Sequence, residues 1–212
     1  FGEKFNLNEA KQDFKKSDYV IKIPEKKLNE IDCSEILRAA NLPVVKSLQI
    51  KNLDDLSYLF KNDDTKYVMK ILSSDIQHKT EVGGVILEIK NIDQAREAFK
   101  EIHKNVNEKA PKAIIDGVMI SPMIRGGIEC ILGAKIDPVF GPIVMFGLGG
   151  IYTEVMKDIS FAEAPVSSDK AKKMILSLKS KDVFFGTRGQ PSVDIKSLIT
   201  AIVNLSNLIA AN

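Results

Sequence analysis

Apolar residues along the chain follow two rhythms, and the order in which they alternate predicts the elements. Asp32-Cys33-Ser34-Glu35 offers a helix start with a Glu three residues after the Asp, and Ile36, Leu37, Ala39 and Ala40 supply an apolar face that ends before Pro43. Val44 to Ile50 is rich in strand formers, and Asn52-Leu53-Asp54-Asp55 restarts a helix through Leu56, Leu59 and Phe60. Tyr67 to Leu72 and Val82 to Ile89 predict two strands. Asp93 then caps an amphipathic helix with Ala95, Ala98, Phe99, Ile102 and Val106 on one face. From Asp116 to Glu154 the rhythm shortens to successive strands: Val118 to Met123, Ile128 to Lys135, Ile143 to Phe146 and Ile151 to Val155. Two more helices are expected, Asp169 to Leu178 and Asp194 to Ala211.

The sum is an α+β (α/β) protein with mixed sheets and a lobe boundary near residues 110–116, giving lobes of 30–112 and 113–212. Residues 1–29 carry seven lysines with little apolar period and read as a linker or docking arm. The 212 residues are 44% hydrophobic and 27% charged, which suits a folded core and excludes a disordered tail. A net charge of +2 gives no broad attraction for nucleic acid or an anionic membrane, so neither partner is expected. No apolar run approaches the roughly 20 residues that span a bilayer, and the N-terminal stretch has no apolar signal core. A cytoplasmic protein is expected. Cys33 and Cys130 stand far apart and outside any C-x-x-C pattern, so they read as reduced structural thiols.

Candidate chemistry gathers in a few places. Ser73-Ser74-Asp75-Ile76-Gln77-His78-Lys79-Thr80-Glu81 is the most concentrated polar segment beside a predicted strand, and it holds one of two histidines. An imidazole on such a loop can act as base, metal ligand or phosphoryl acceptor, or be a plain solvated residue. His103, among Lys100, Glu101 and Lys104 on the long helix, reads as a solvated face residue. Lys70 interrupts the apolar strand Val68 to Leu72; it is either a buried ammonium awaiting an anion or the outward member of an alternating strand. Eight of the 13 glycines lie between Gly117 and Gly150. Among them Gly147, Gly149 and Gly150 follow an apolar strand, where backbone N–H groups can converge on phosphate. The spacing is neither that of a P-loop nor that of a dinucleotide fingerprint. Glu154 and Asp158 come next, either as hard oxygen ligands for Mg²⁺ or as solvated acids.

Three long blocks, YVMKILSSDIQHKTEVGGVIL (67–87), GVMISPMIRGGIECILGAKIDPVFGPIVMFGLGGIYTEVMKDISF (117–161) and FFGTRGQPSVD (184–194), carry a resemblance. Together they make the chain similar, from Ser34 to Asn212, to the ATP-grasp domain of the ADP-forming acyl-CoA synthetases. The resemblance implies an ATP-grasp fold, two α+β lobes enclosing a nucleotide cleft. It implies ATP or ADP with Mg²⁺ as cofactors and a CoA-binding domain or subunit as partner, within an oligomeric parent enzyme. Lys70 falls where the family's strand lysine approaches the phosphates. Ser121 and Met123 lie in the segment that passes the adenine, and Glu129 matches the acid placed for the ribose hydroxyls. Gly147, Gly149 and Gly150 match the glycine turn, and Glu154 with Asp158 match acids at the phosphate end. His78 falls on the histidine of the S-x-D-I-x-H-K segment, which similar enzymes use as a phosphoryl carrier; this favours the phosphoryl-acceptor role among those open to it.

Two departures qualify the likeness. Phe161 is followed by Ala162-Glu163 where family members commonly carry arginine. The family's domain also continues into an E-[ID]-x-N-P strand with further Mg²⁺ ligands, so these residues are expected to be part of a larger polypeptide, inactive as an autonomous synthetase. The alternative function is a non-catalytic regulatory module attached to a protein lysine acetyltransferase.

Overall fold

The computed structural model describes residues 21–58, 60, 65–150, 158–186 and 192–212. Its first half is a four-stranded antiparallel sheet backed by one long helix. Helix α1 (Glu30–Ala39) starts earlier than the sequence pattern suggested, because Asn29 is the cap. The Asn29 side chain accepts from the Ile31 and Asp32 amides, while the Asp32 side chain accepts from the Asn29 amide. Asp32 thus closes the capping box from the third helical position rather than opening the helix. Strand β1 is only Leu48–Ile50, and the expected helix after Asn52 is a 3₁₀ turn, Leu53–Tyr58. Strands β2 (Tyr67–Leu72) and β3 (Val85–Ile89) precede helix α2 (Ile92–Lys109), whose cap is Asn91, accepting from the Gln94 amide, rather than Asp93. Strand β4 (Gly117–Pro122) completes the sheet in the order β1-β4-β2-β3.

Period explains the packing. Ala95, Ala98, Ile102 and Val106 recur at helical spacing and are the buried face of α2. Met69 and Ile71 from β2 and Val118 and Ile120 from β4 are alternate residues of their strands and join the same core.

The second half is a three-stranded antiparallel sheet, β5 (Cys130–Asp137), β6 (Gly141–Leu148) and β7 (Ile159–Glu163), with β6 in the middle. Helix α3 (Ser168–Leu176) is capped by Ser167, and α4 (Ile195–Ala210) by Asp194. Between them Lys181–Phe185 forms a 3₁₀ turn that sends Phe184 against Phe146, ring centres 5.9 Å apart. Those rings sit in one core with Val144, Ala171, Met174, Ile175 and Ile202. Strand β7 was not expected. Its Ser160 and Ala162 pair with Phe146 and Val144 of the core, whereas Phe161 pairs with Met145 and is 53% exposed. Its largest apolar side chain points away from the core, which inverts the usual signal.

The lobe boundary also moves. An edge at 112/113 would put β4 in the second lobe, yet β4 lies between β1 and β2 in the first sheet. The change of sheet falls at residues 123–129. There Gly126 and Gly127 adopt φ of +74° and +83° with no neighbour near a would-be Cβ, which leaves the link between sheets sterically open. The halves also touch elsewhere: Asn204 donates to the Asn41 carbonyl at 3.0 Å, and Asn212 donates to the Ile21 carbonyl at 2.8 Å. The strand expected at Ile151 to Val155 lies outside the described residues.

Candidate functional site

The first sheet carries one half of the candidate site. Cross-strand register pairs Lys70 with Met119 and Val68 with Ser121. Directly paired residues share a face, so Val68, Lys70, Met119 and Ser121 lie on the side opposite to the α2 core. Ser121 is buried and Lys70 half-buried. Among the described residues Lys70 has neither an ion pair nor a hydrogen-bonding side-chain partner, so its ammonium carries a desolvation cost that an anionic ligand would offset. Met123 extends the same ladder by one rung, its amide donating to the Lys66 carbonyl at 2.7 Å.

The second half lies on the other sheet. The Gly149 amide donates to the Glu129 carbonyl at 2.7 Å. A Cβ on Gly149 would sit 2.9 Å from Glu129 Cγ and 3.0 Å from its carbonyl carbon, and one on Gly150 would sit 2.7 Å from Glu129 Oε2. The turn is therefore glycine because the Glu129 backbone and side chain lie directly over it. At Gly147 a Cβ would come within 2.6 Å of the Asp158 carbonyl oxygen. Glu129 and the three glycines thus form one packed unit, with bare backbone beside a carboxylate, a fit for sugar and phosphate groups.

Asp158 sits at the edge of this unit but faces elsewhere. It is buried, and its carboxylate accepts from the Lys179 amide at 2.9 Å and from the Ser180 amide and hydroxyl at 2.7 and 2.5 Å. Burial pushes its carboxyl up, but the Ser180 and Lys179 hydrogen bonds outweigh that and hold it below the usual carboxylate value. Its oxygens anchor the turn after α3. Glu154 lies outside the described residues. Among the described residues no three His, Cys, Asp or Glu side chains converge as a metal cage.

His78 projects from the loop between β2 and β3 and is exposed. The loop around it is pinned on both sides. Upstream, Ser73 Oγ donates to the Ile114 carbonyl at 2.6 Å, the Ile114 amide donates to Asp75, and Ile76 is buried in the core. Downstream, Lys79 Nζ donates to the Ile76 carbonyl at 2.9 Å and pairs with Glu30 of α1. These anchors escape a reading of the sequence because Glu30 and Ile114 are distant in the chain, although Lys79 is in the motif itself. His103 is not the solvated residue expected: it is half-buried against Phe99, ring centres 4.5 Å apart, and burial lowers its pKa. Cys33 and Cys130 are free thiols, each pushed up by burial. An open groove of about 870 Å³ between β7 and α3, lined by Phe140, Phe161 and Pro165, contains none of the expected site residues.

Residues 20–212 match the ATP-grasp domain family. The 4-hydroxybutyrate–CoA ligase [ADP-forming] of Nitrosopumilus maritimus is 41% identical over 207 residues, 98% of this chain and 30% of that protein. The chain thus spans less than a third of that relative. It spans 81% of the acetate–CoA ligase [ADP-forming] I subunit beta of Pyrococcus furiosus, at 39% identity over 88% of this chain. Among solved structures, the dinucleotide-forming acetyl-coenzyme A synthetase 1 of Ca. Korarchaeum cryptofilum, in complex with coenzyme A and Ca-AMPCP, superposes with a TM-score of 0.81 at 32% identity, covering 87% of this chain and 81% of that one. The same enzyme with Mg-AMPPCP, its phosphohistidine segment pointing towards the nucleotide-binding site, gives 0.72 at 29% identity, covering 87% and 79%. The acetyltransferase-linked alternative finds no support among these relatives. No helix among the described residues is long and apolar enough to cross a membrane. By these matches the chain belongs to the ATP-grasp domain family of the ADP-forming acyl-CoA ligases.

Proposed function

We propose that the chain is the nucleotide-binding, phosphohistidine-forming domain of a larger ADP-forming acyl-CoA synthetase, which interconverts acyl-CoA, ADP and phosphate with acid, CoA and ATP. One observation carries the reading: an exposed imidazole, His78, lies on a pinned loop that leaves the strand holding the half-buried Lys70, which has no ion-pair partner among the described residues. Lys70 would meet the phosphates, Ser121 and Met123 the adenine, and Glu129 the ribose hydroxyls beside Gly147, Gly149 and Gly150. ATP or ADP is the ligand, with Mg²⁺ neutralising its phosphates when bound. Glu154 and Asp158 are the protein carboxylates that would hold that ion beside the nucleotide.

An imidazole nitrogen of His78 attacks the γ-phosphorus, the bond from that phosphorus to the β–γ bridging oxygen breaks, ADP leaves, and the ring proton passes to water. The phosphoryl group then moves to a carboxylic acid on a CoA-binding domain or subunit, and CoA thiol displaces phosphate from the acyl phosphate. The relatives' assembly supports such a partner, since the Pyrococcus protein is itself a β subunit. Incubating the protein with γ-labelled Mg-ATP tests the reading. An acid-labile, base-stable label on His78, lost in His78→Asn with nucleotide affinity kept, is the expected result. Full labelling of His78→Asn overturns it.

A further inference from the structure

The loop that bears His78 is anchored on both sides, and the anchor next to the imidazole is a charge pair. On the upstream side, three residues or more before Lys79, the anchors are Ile76 in the core, the Ser73 hydroxyl on the Ile114 carbonyl, and Asp75, which accepts from the Ile114 amide and pairs with Lys27. On the downstream side the anchor nearest the imidazole is a charge pair, Lys79 with Glu30, whose lysine is only 13% exposed; farther on, Lys109 Nζ donates to the Glu81 carbonyl at 3.4 Å and Asn105 Nδ2 to the Gly83 carbonyl at 3.2 Å. Glu30 Oε2 is itself buried and takes no hydrogen bond among the described residues. An ammonium largely withdrawn from water is held there by one carboxylate oxygen and one carbonyl, a bond whose strength depends on the charges nearby. The turn that follows is closed by backbone hydrogen bonds that start at this segment: the Glu81 amide donates to the His78 carbonyl at 3.2 Å, Gly83 to Thr80 at 3.0 Å and Gly84 to Lys79 at 2.8 Å.

Resting on the proposed phosphoryl-carrier role, we infer that Glu30 and Lys79 are positioning residues forming a charge-sensitive latch: the pair docks the His78 arm on α1, and a phosphoryl group on His78 releases it. The phosphoryl group brings about −1.5 to −2 charge one residue away from Lys79 and competes with Glu30 for the ammonium. Among the described residues the second oxygen of Glu30 has no hydrogen-bond donor that would replace the ammonium. The arm is therefore fixed while it awaits the nucleotide and loosened once it is loaded, the moment at which it has to leave. Ser73, Asp75 and Ile76 hold the upstream end, and Lys109, Asn105 and the Ile71 amide hold residues 81–84, so the release loosens the segment between them.

Amide hydrogen exchange at Glu81, Gly83 and Gly84 reads the latch directly, with the α2 amides as an internal reference. Glu30→Gln is expected to speed these three roughly tenfold and leave α2 unchanged. Glu30→Lys should do the same, and Glu30→Lys with Lys79→Glu should restore protection, a rescue that a folding defect would not show. Phosphorylation is supplied without nucleotide by potassium phosphoramidate. An imidazole nitrogen of His78 bonds to phosphorus, the P–N bond breaks, and ammonia leaves with the ring proton. The phosphorylated protein should exchange as fast as Glu30→Gln, and phosphorylating Glu30→Gln should add little. His78→Asn treated in the same way is the control for His103. Exchange unchanged by Glu30→Gln or by His78 phosphorylation overturns the latch, as does failure of phosphoramidate to label an arm placed in solvent. If phosphoramidate labels and releases the arm while Mg-ATP does not label it, the latch stands and the proposed function falls. If Mg-ATP labels His78 with no change in exchange, the proposed function stands and the latch falls.

Discussion

The two halves of the candidate site are built from different materials. On the first sheet the site is made of side chains: Lys70, Met119 and Ser121 stand on one face because strand register puts them there, and the core behind them is independent of their chemistry. On the second sheet it is made of backbone: Gly147 and Gly149 exist because Asp158 and Glu129 pass within van der Waals distance of where their Cβ atoms would be. A side-chain half can lose its function and keep its fold. A backbone half cannot, because the contacts that shape it are also the contacts that close the β5-β6-β7 sheet.

The largest effect should come from testing that coupling directly. Gly147→Ala places a methyl 2.6 Å from the Asp158 carbonyl oxygen and 3.2 Å from Ile159 Cα, both backbone atoms of the neighbouring strand region. Neither can rotate aside, so β6 and β7 must separate. A loss of about 3 kcal/mol in urea unfolding is expected, in the upper range for overpacking. Gly126→Ala in the link between sheets meets no atom within 4 Å and bears only the strain of φ +74°. It should cost about 1 kcal/mol. Equal losses at the two glycines would show that the second half-site is not held by the sheet.

Lys70→Met should give the opposite signature on the first sheet. The free protein keeps its stability or gains slightly, because a half-buried ammonium without a partner among the described residues is replaced by an apolar chain of similar length. What is lost is the response to nucleotide. A ligand at about 100 times its Kd stabilises by roughly 2.7 kcal/mol, and a tenfold weaker Kd removes roughly 1.4 kcal/mol of that. Thermal melts with and without Mg-ATP measure both quantities. Glu129→Gln should diminish the ligand shift less, since it keeps the shape over the glycine turn and removes only the charge. A Lys70→Met protein that melts lower yet responds fully to Mg-ATP would reassign the lysine from ligand to fold.

The same division explains what could be read from the sequence. Strand β2 and the buried face of α2 were legible because local period is all that makes them: Tyr67–Leu72 is bounded by polar turns, and Ala95, Ala98, Ile102 and Val106 keep one helical face. That Lys70 and Ser121 share a side follows once β2 and β4 pair. Strand β7 was illegible because Phe161 faces outward and small Ala162 faces the core. The lobe boundary was misplaced because nothing local to Gly117–Pro122 says that it inserts between β1 and β2. The hold of Asp158 on the amides of residues 179 and 180 was illegible because those residues are more than 20 positions away. Glu30 and Lys79 are invisible for the same reason: a charge pair between α1 and a loop leaves no periodic trace. The alignment of blocks carried the site further than spacing could, since only the resemblance singled out His78 among the roles open to a loop histidine.

The smallest expected effect concerns Asp158 and separates its structural job from the chemistry beside it. Its carboxyl is held below the usual value in the folded state: burial raises it, but the hydrogen bonds from Ser180 and Lys179 prevail. A group with a depressed folded pKa contributes stability above its unfolded value of 3.8, and that contribution is lost as pH falls through the folded pKa. The native protein should therefore lose part of its stability below about pH 4 through this residue. Asp158→Asn keeps one acceptor for the two amides and the Ser180 hydroxyl but cannot ionise, so it should be less stable by about 1 kcal/mol near neutral pH. The gap between the two proteins should narrow as pH falls below 4, because protonation makes the native side chain neutral as well. Melts of both proteins from pH 7 to pH 3 check the sign. A gap that widens on acidification would mean that the carboxyl is not stabilised in its charged form. If Asp158→Asn instead left the acid limb unchanged and abolished only the Mg²⁺-dependent part of the nucleotide shift, Asp158 would return to the metal and the turn would owe its order to something else. Three donors already converge on the two oxygens that a cation would need, which favours the first outcome.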